Sequence, residues 1–313
     1  MSRIHEALKK AEQDRQTIQQ DGSPKESSEQ RLPSPTVLSK EPLAVSTEVM
    51  DTHTPANSGK LSFEELRANC VSATWHPNPK LMLFSNDNPF ATGAEQFRTL
   101  RSRLYRLRES QPLRRVLITS AIPAEGKSFV AANLAQVLVR QSGCRVLLID
   151  ADLRSPNLHK TLGAPLTPGL ADYLQGERSA LEVIQRGSED GLLFIPAGKH
   201  VTHPAELIAG NAFKKLLDTV SESFDWVILD SPPTVPVSDA SVLAQMCDGV
   251  MFVVRGGSTP AEVCSKGCRE LQNSHLIGVV LNAVKQGSAS DPYYGYGNAG
   301  YGMNLSNTTG KPS

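Results

Sequence analysis

The sequence predicts an α/β fold, a largely parallel sheet flanked by helices, and three observations carry that prediction. Apolar, β-branched runs at 116–119, 146–149, 192–195, 227–229, 250–254 and 277–281 alternate with segments of helical period. Such alternation marks βαβ units, whose strands are buried on both faces and read as continuous apolar stretches. The first run leads through Gly126-Lys127-Ser128 into a helix, and the second and fourth runs each end on aspartate.

Taken in order, residues 3–18 read as a short amphipathic helix with Ile4, Ala7, Leu8, Ala11 and Ile18 on one side, giving a first segment of 1–20. From 21 to about 60 the composition turns to Pro, Ser, Thr, Lys and Glu, which cannot bury enough surface to offset ordering entropy. Residues 21–85 are therefore expected to be a largely disordered linker, with at most one helix at 63–69. Order is expected over 86–288, beginning near Glu95 with Phe97, Leu100, Leu104 and Leu107 at helical spacing. Gly143 marks a helix end after Ala131, Leu134, Ala135 and Leu138. Thr259-Pro260-Ala261-Glu262 reads as a capping box with Pro in the first turn. Beyond Lys285 the chain turns to Gly, Ser, Asn and Tyr, so 289–313 is expected to be a flexible tail.

Composition narrows the function classes. A chain of 313 residues accommodates one α/β domain of about 200 residues with appendages. Its 32 basic and 32 acidic residues cancel, so no overall field would hold it on nucleic acid or an anionic bilayer. The arginines between Arg98 and Arg115 have no interleaved aromatics and read as a solvated or subunit-facing helix surface. Five cysteines without a CxxC pair, and no basic-then-apolar leader, predict a cytoplasmic protein. The apolar runs are strand-sized, short of the roughly 20 residues that span a bilayer, so recruitment to a membrane would need a partner. Cys264 and Cys268 lie four apart without a second ligand pair and read as plain thiols, while His200 and His203 read as loop or helix-start residues.

The chemistry is concentrated after the predicted strands. Between the first of them and its helix lies Ala-Ile-Pro-Ala-Glu-Gly-Lys-Ser at 121–128, the context of a phosphate-binding loop. Backbone N–H groups of Ala124, Glu125, Gly126, Lys127, Ser128 and Phe129 can cradle phosphate, Lys127 can reach the β/γ oxygens, and Ser128 can ligate Mg²⁺. The usual first glycine is Ala121, so the opening turn must avoid positive φ there. The second strand ends in Asp150-Ala-Asp152-Leu-Arg154, and another ends in Asp230-Ser-Pro-Pro. At the C-terminal edge of a parallel sheet these acids and Arg154 would lie near a bound nucleotide and its metal.

In carrying these three motifs in order, the chain resembles the bacterial tyrosine kinases of capsular and exopolysaccharide export, over roughly residues 86–301. Glu95, Arg98 and Arg101 match the ExxRxxR helix through which members of that family form rings, and Tyr293, Tyr294, Tyr296 and Tyr301 match its C-terminal tyrosine cluster. The resemblance implies a P-loop NTPase fold and a soluble-branch, MgATP-dependent autokinase switched on by a membrane-embedded polysaccharide co-polymerase. It implies catalytic Lys127, Asp150, Asp152 and Asp230, with Asp152 as base or tyrosine-orienting group and Ser128, Asp150 and Asp230 around Mg²⁺. Protein tyrosines, and not nucleic acid, would be its substrates. Two other readings share the loop: a partitioning or division-site switch ATPase, which usually carries a further lysine near Ala121 or Ile122, and a catalytically silent ATP-sensing adaptor.

Overall fold

A computed structural model describes residues 62–84 and 93–284. The expected N-terminal helix, most of the expected linker and the tyrosine cluster lie outside the described residues. The chain order opens α1 (Phe63–Asn69), β1 (Val71–Ser72), α2 (Ala94–Ser110), β2 (Arg115–Ser120), α3 (Lys127–Val139) and β3 (Val146–Asp150). Three short helices follow, α4 (Leu158–Leu162), α5 (Leu170–Leu174) and α6 (Ala180–Val183), and then β4 (Gln185–Arg186) and β5 (Leu192–Ile195). The chain continues through α7 (Pro204–Ala209), α8 (Asn211–Val220), β6 (Trp226–Asp230), α9 (Asp239–Ala244), β7 (Gly249–Arg255), α10 (Ala261–Arg269) and β8 (Leu276–Asn282).

The eight strands form one sheet in the order β1-β4-β5-β3-β6-β2-β7-β8. All neighbours are parallel except β4 and β5. The six strands expected from the sequence are all present. Strands β1 and β4, two residues each, carry too little pattern to be read.

The period-2 alternation of strand side chains divides the core in two. Leu117, Leu147, Ile149, Val227, Leu229 and Phe252 fill one face, whereas Val116, Ile118, Val146, Leu148, Ile228 and Val253 fill the other. Helix α3 is buried almost all round, as its run of alanine, valine and leucine requires, and α2 lies over it.

The packed structure begins earlier than the sequence boundary at 86. Helix α1 has a Ser62 capping box with Glu65, and it buries Phe63 and Leu66, with Phe63 edge-on to Phe224 at 5.5 Å. A seven-residue helix would not persist alone. The cap contributes about 1 kcal/mol and each buried side chain about 1.5–3 kcal/mol. Further on, Trp75 meets Phe194, Met82 and Phe84 are buried, and Asn133 holds Leu83 N and Leu81 O, both at 2.8 Å. These anchors are spaced irregularly, so they form no helical or strand period that sequence inspection could detect.

The expected capping box at 259–262 does not form. Pro260 is the N-cap of α10, and the Thr259 hydroxyl donates instead to Glu125 Oε1 at 2.6 Å. A buried carboxylate is a stronger acceptor than the alternatives near a helix start, and it draws Thr259 toward the loop after β2.

Candidate active site

The phosphate loop joins β2 to α3 at the C-terminal edge of the sheet. Ala121 keeps a negative φ, as its side chain requires; the left-handed positions are Ala124 (φ 64°) and Gly126 (φ 95°). The loop is sewn to the segment after β6, because Ser120 O accepts Thr234 N at 2.8 Å and Ala121 O accepts Val235 N at 3.1 Å. Glu125 turns its side chain inward and is almost wholly buried. One carboxylate oxygen accepts Ile122 N at 2.9 Å, and the other accepts Arg255 N at 3.2 Å and the Thr259 hydroxyl. Arg255 Nη1 also donates to Ala124 O at 3.1 Å, and Asn282 Nδ2 to Glu125 O at 2.9 Å. Glu125 can therefore offer a ligand its backbone, while its side chain braces the loop. Phe129 likewise packs its ring against Phe97, at 5.9 Å.

Asp150 and Asp230 are paired in the β3–β6 register, so two fully buried carboxylates stand on adjacent strands. Burial raises both above the ordinary carboxylate range; for Asp150 the charge of Asp230 adds to the rise, and for Asp230 the nearby Lys127 and the Ser128 hydroxyl oppose it. Asp150 accepts Asp152 N at 3.3 Å and Leu158 N at 3.1 Å. Neither oxygen of Asp230 has a partner at hydrogen-bonding distance, so the influence of Ser128 on it is proximity and not a formed bond. Lys127 is itself buried. Asp152 accepts Ser155 N at 2.9 Å, which shapes the turn after β3.

Arg154 reaches away from the acids of β3. Its Nε and Nη2 form a fork on the buried Asp239 at 2.8 and 2.9 Å, tying the turn after β3 to the start of α9. Among the described residues, no three His, Cys, Asp or Glu side chains gather as a ready-made metal cluster. The donor set suits a cation that keeps most of its waters: one hydroxyl, one or two carboxylates, and orphaned buried oxygens on Asp230. Cys264 and Cys268 are free thiols whose ionisation burial disfavours.

Lys127, Ser128, Asp150, Asp152 and Asp230 are thus brought to one mouth. Glu95, Arg98 and Arg101 are on α2, where Glu95 pairs with Arg98 at 2.9 Å and Arg101 donates to Val137 O at 2.9 Å. Sequence reasoning missed Asp239, Arg255, Thr259 and Asn282. Arg255 and Asn282 end strands at the same edge as the acids, so the rule that found Asp150 and Asp230 also reaches them; Asp239 carries no such signal.

An AAA domain is matched at residues 124–260. Tyrosine-protein kinase YwqD of Bacillus subtilis is 37% identical over 210 residues, which cover 66% of this chain and 87% of that protein. The chain belongs to the bacterial tyrosine-protein kinase family. The kinase domain of the Escherichia coli tyrosine kinase ETK has the same fold, with a TM-score of 0.62 and 33% identity over 67% of this chain and 83% of that one. Family members can be much longer: the succinoglycan biosynthesis transport protein ExoP of Rhizobium meliloti is 36% identical over 211 residues, but the match spans 27% of it. The mouth described above lies at the C-terminal sheet edge of a P-loop kinase fold. No helix among the described residues is long and apolar enough to cross a membrane.

Proposed function

We propose that the chain is an MgATP-dependent protein-tyrosine kinase that phosphorylates a cluster near its own C-terminus, Tyr293, Tyr294, Tyr296 and Tyr301. The observation that carries this reading is Asp230, a buried carboxylate with both oxygens unpartnered, close to Lys127 and Ser128 at the mouth of a phosphate loop. A charge left in that state is a seat for a hydrated cation. Ser128 would hold Mg²⁺ directly, and Asp230, with Asp150 beside it, through water. When bound, the ion neutralises charge on the β- and γ-phosphates.

The chain's own residues supply the rest. Backbone N–H groups from Ala124 to Phe129 receive the phosphates at the start of α3, and Lys127 offsets charge on the group in transfer. The tyrosine oxygen bonds to the γ-phosphorus as the bond to the β,γ-bridging oxygen breaks, and ADP departs with that electron pair. The phenolic proton passes to Asp152. A phenol with pKa near 10 is neutral at physiological pH, so a positioned carboxylate helps; transfer is loose, so orientation outweighs base strength. Arg154 serves the nucleotide by fixing, through Asp239, the turn that carries Asp152.

Strand β8 is parallel to β7 and ends at the same edge as the loop. Tyr293 follows Asn282 by 11 residues, a reach on the order of 40 Å when extended. That suffices for the tail to approach its own site or that of a neighbour held through Glu95, Arg98 and Arg101 in a ring. The name of ExoP, a succinoglycan biosynthesis transport protein, supports a place in exopolysaccharide synthesis; the position on the cytoplasmic face beside a membrane-embedded co-polymerase that acts as activator is part of the proposal. Incubation with γ-labelled ATP and Mg²⁺, with and without candidate activators, followed by mapping of the phosphate, tests the reading. Label confined to the four tail tyrosines is expected, and none under any condition would sink it.

A further inference from the structure

We propose that Asn282 is a positioning residue that latches the end of β8 to the phosphate loop, so that nucleotide binding and the docking of β8 strengthen each other. Asn282 is held on two sides: Gly256 N donates to its carbonyl at 2.8 Å, and its own Nδ2 donates to Glu125 O at 2.9 Å. The fit is close, because a methyl group on Gly126 would lie 2.0 Å from Asn282 Nδ2.

Backbone strain stands on both sides of this one hydrogen bond. Among the described residues, the non-glycine positions with positive φ are Ala124 (64°), preceding Glu125, and Ala283 (52°), following Asn282. A residue with a Cβ stays in the left-handed region only where its surroundings over-determine it. The bond is one of the contacts that hold both residues there, beside that from Arg255 Nη1 to Ala124 O on the loop side. Strand β8 is also the least supported of the long strands: it lies at the sheet edge, paired only with β7, and Val279 and Leu281 are 54% and 66% exposed. Elements of this kind open locally before the core does. A ligand that rigidifies residues 124–128 therefore favours the latched end of β8, and by linkage the latched end favours the ligand. The C-terminal segment departs from this strand, so a pull on that segment is transmitted to the loop.

The inference rests on the loop being a nucleotide site, and the test separates the two. Amide hydrogen exchange over 276–284 is followed in the full chain with and without saturating MgADP, whose affinity is measured in parallel. In the natural sequence MgADP is expected to slow exchange at 279–284 severalfold. Asn282→Leu keeps the size and removes the donor without adding charge; it should bind MgADP about tenfold more weakly, the scale of one lost hydrogen bond, and show no such slowing. If the asparagine merely stabilised the strand, its replacement would raise exchange equally with and without nucleotide. Ala283→Gly, which relieves strain without touching the bond, should slow exchange in the absence of MgADP and tighten its binding a few-fold. Exchange at 279–284 indifferent to bound MgADP, a nucleotide effect retained in Asn282→Leu, or no effect of Ala283→Gly on either measurement overturns the latch alone. Failure of the natural chain to bind MgADP overturns the latch and the phosphate-loop reading together.

Discussion

Asp150 and Asp230 stand side by side across the β3–β6 ladder, yet Asp150 commits both carboxylate oxygens to backbone N–H groups and Asp230 commits neither. The two acids that end predicted strands are thus unequal. Asp150 shapes the turn that carries Asp152, and Asp230 keeps both oxygens uncommitted.

The burial of both carboxyls sets a pH dependence, to which Asp230 contributes directly and through its charge on Asp150. Burial raises the Asp230 carboxyl above its ordinary value of 3.8, so over the window from there up to its folded value the native state holds a proton that the unfolded chain has lost. Stability of the nucleotide-free protein then falls as pH rises through that window. Asp230→Asn is expected to flatten the fall and to raise the melting temperature at neutral pH while abolishing phosphorylation. Thermal unfolding from pH 4 to 8 measures the first, and labelled ATP the second. A steeper fall in the variant would place the destabilising charge elsewhere.

Lys127→Met removes the buried cation nearest that acid. Labelling should drop by at least about 10²–10³-fold, the scale for loss of one preorganised charge at a transition state. Circular dichroism should remain native. Wild-type labelling in a well-folded Lys127→Met chain is incompatible with the proposed role.

Much of this site was legible because parallel strands buried on both faces announce themselves as apolar runs, and the residue after each run falls on the functional edge. Asp150, Asp152 and Asp230 were reached in that way, and Lys127 through the Gly-Lys-Ser turn between a strand and a helix. The partners were not. Thr259 looked like a helix cap because local spacing says nothing about Glu125, far away in sequence yet a better acceptor. Arg154 was placed at this edge by the motif, but the sequence does not show that Asp239 lies opposite it to receive its fork. Residues 62–84 looked like linker because Trp75, Met82 and Phe84 are anchors without a period.

The Arg154–Asp239 pair makes an unequal prediction. Asp239 is buried, whereas the Arg154 side chain is 38% exposed. Asp239→Ala frees an arginine that can turn to water and should cost about 1–2 kcal/mol. Arg154→Ala strands a carboxylate in the core and should cost more, about 3–5 kcal/mol. Urea midpoints for the two variants settle the order, and equal shifts would mean that Asp239 has other relief.

Gly126 is fixed by geometry as well as chemistry. Its φ of 95° strains any residue with a Cβ, and an added Cβ would lie 2.0 Å from Asn282 Nδ2, so the Asn282 side chain would have to leave its bond to Glu125 O. Gly126→Ala is expected to destabilise the fold by about 2 kcal/mol, from left-handed strain and overlap together, and to abolish binding of a fluorescent nucleotide. Unimpaired binding would show that the loop reshapes freely, against the close packing seen around it.

The last prediction concerns assembly. If a ring holds each tail at a neighbour's mouth, a Lys127→Met chain, unable to transfer phosphate, should become labelled when mixed with a chain whose Tyr293, Tyr294, Tyr296 and Tyr301 are all Phe. The α2 residues differ in what their variants can report. Arg101 already donates to Val137 O at the end of α3, so its loss weakens the subunit itself. Glu95 lies on the exposed side of α2, paired one turn on with Arg98, and Glu95→Arg should therefore cut trans labelling several-fold with little change in melting temperature. Each phosphotyrosine adds about −1.5 to −2 charges. Four on one tail bring on the order of −6 to −8, and tails gathered in a ring would repel one another. Light scattering should then show mass falling after ATP in the natural chain and holding steady in the tail-Phe variant. An unlabelled Lys127→Met chain in the mixture, or constant mass beside demonstrable phosphorylation, would separate kinase activity from ring assembly.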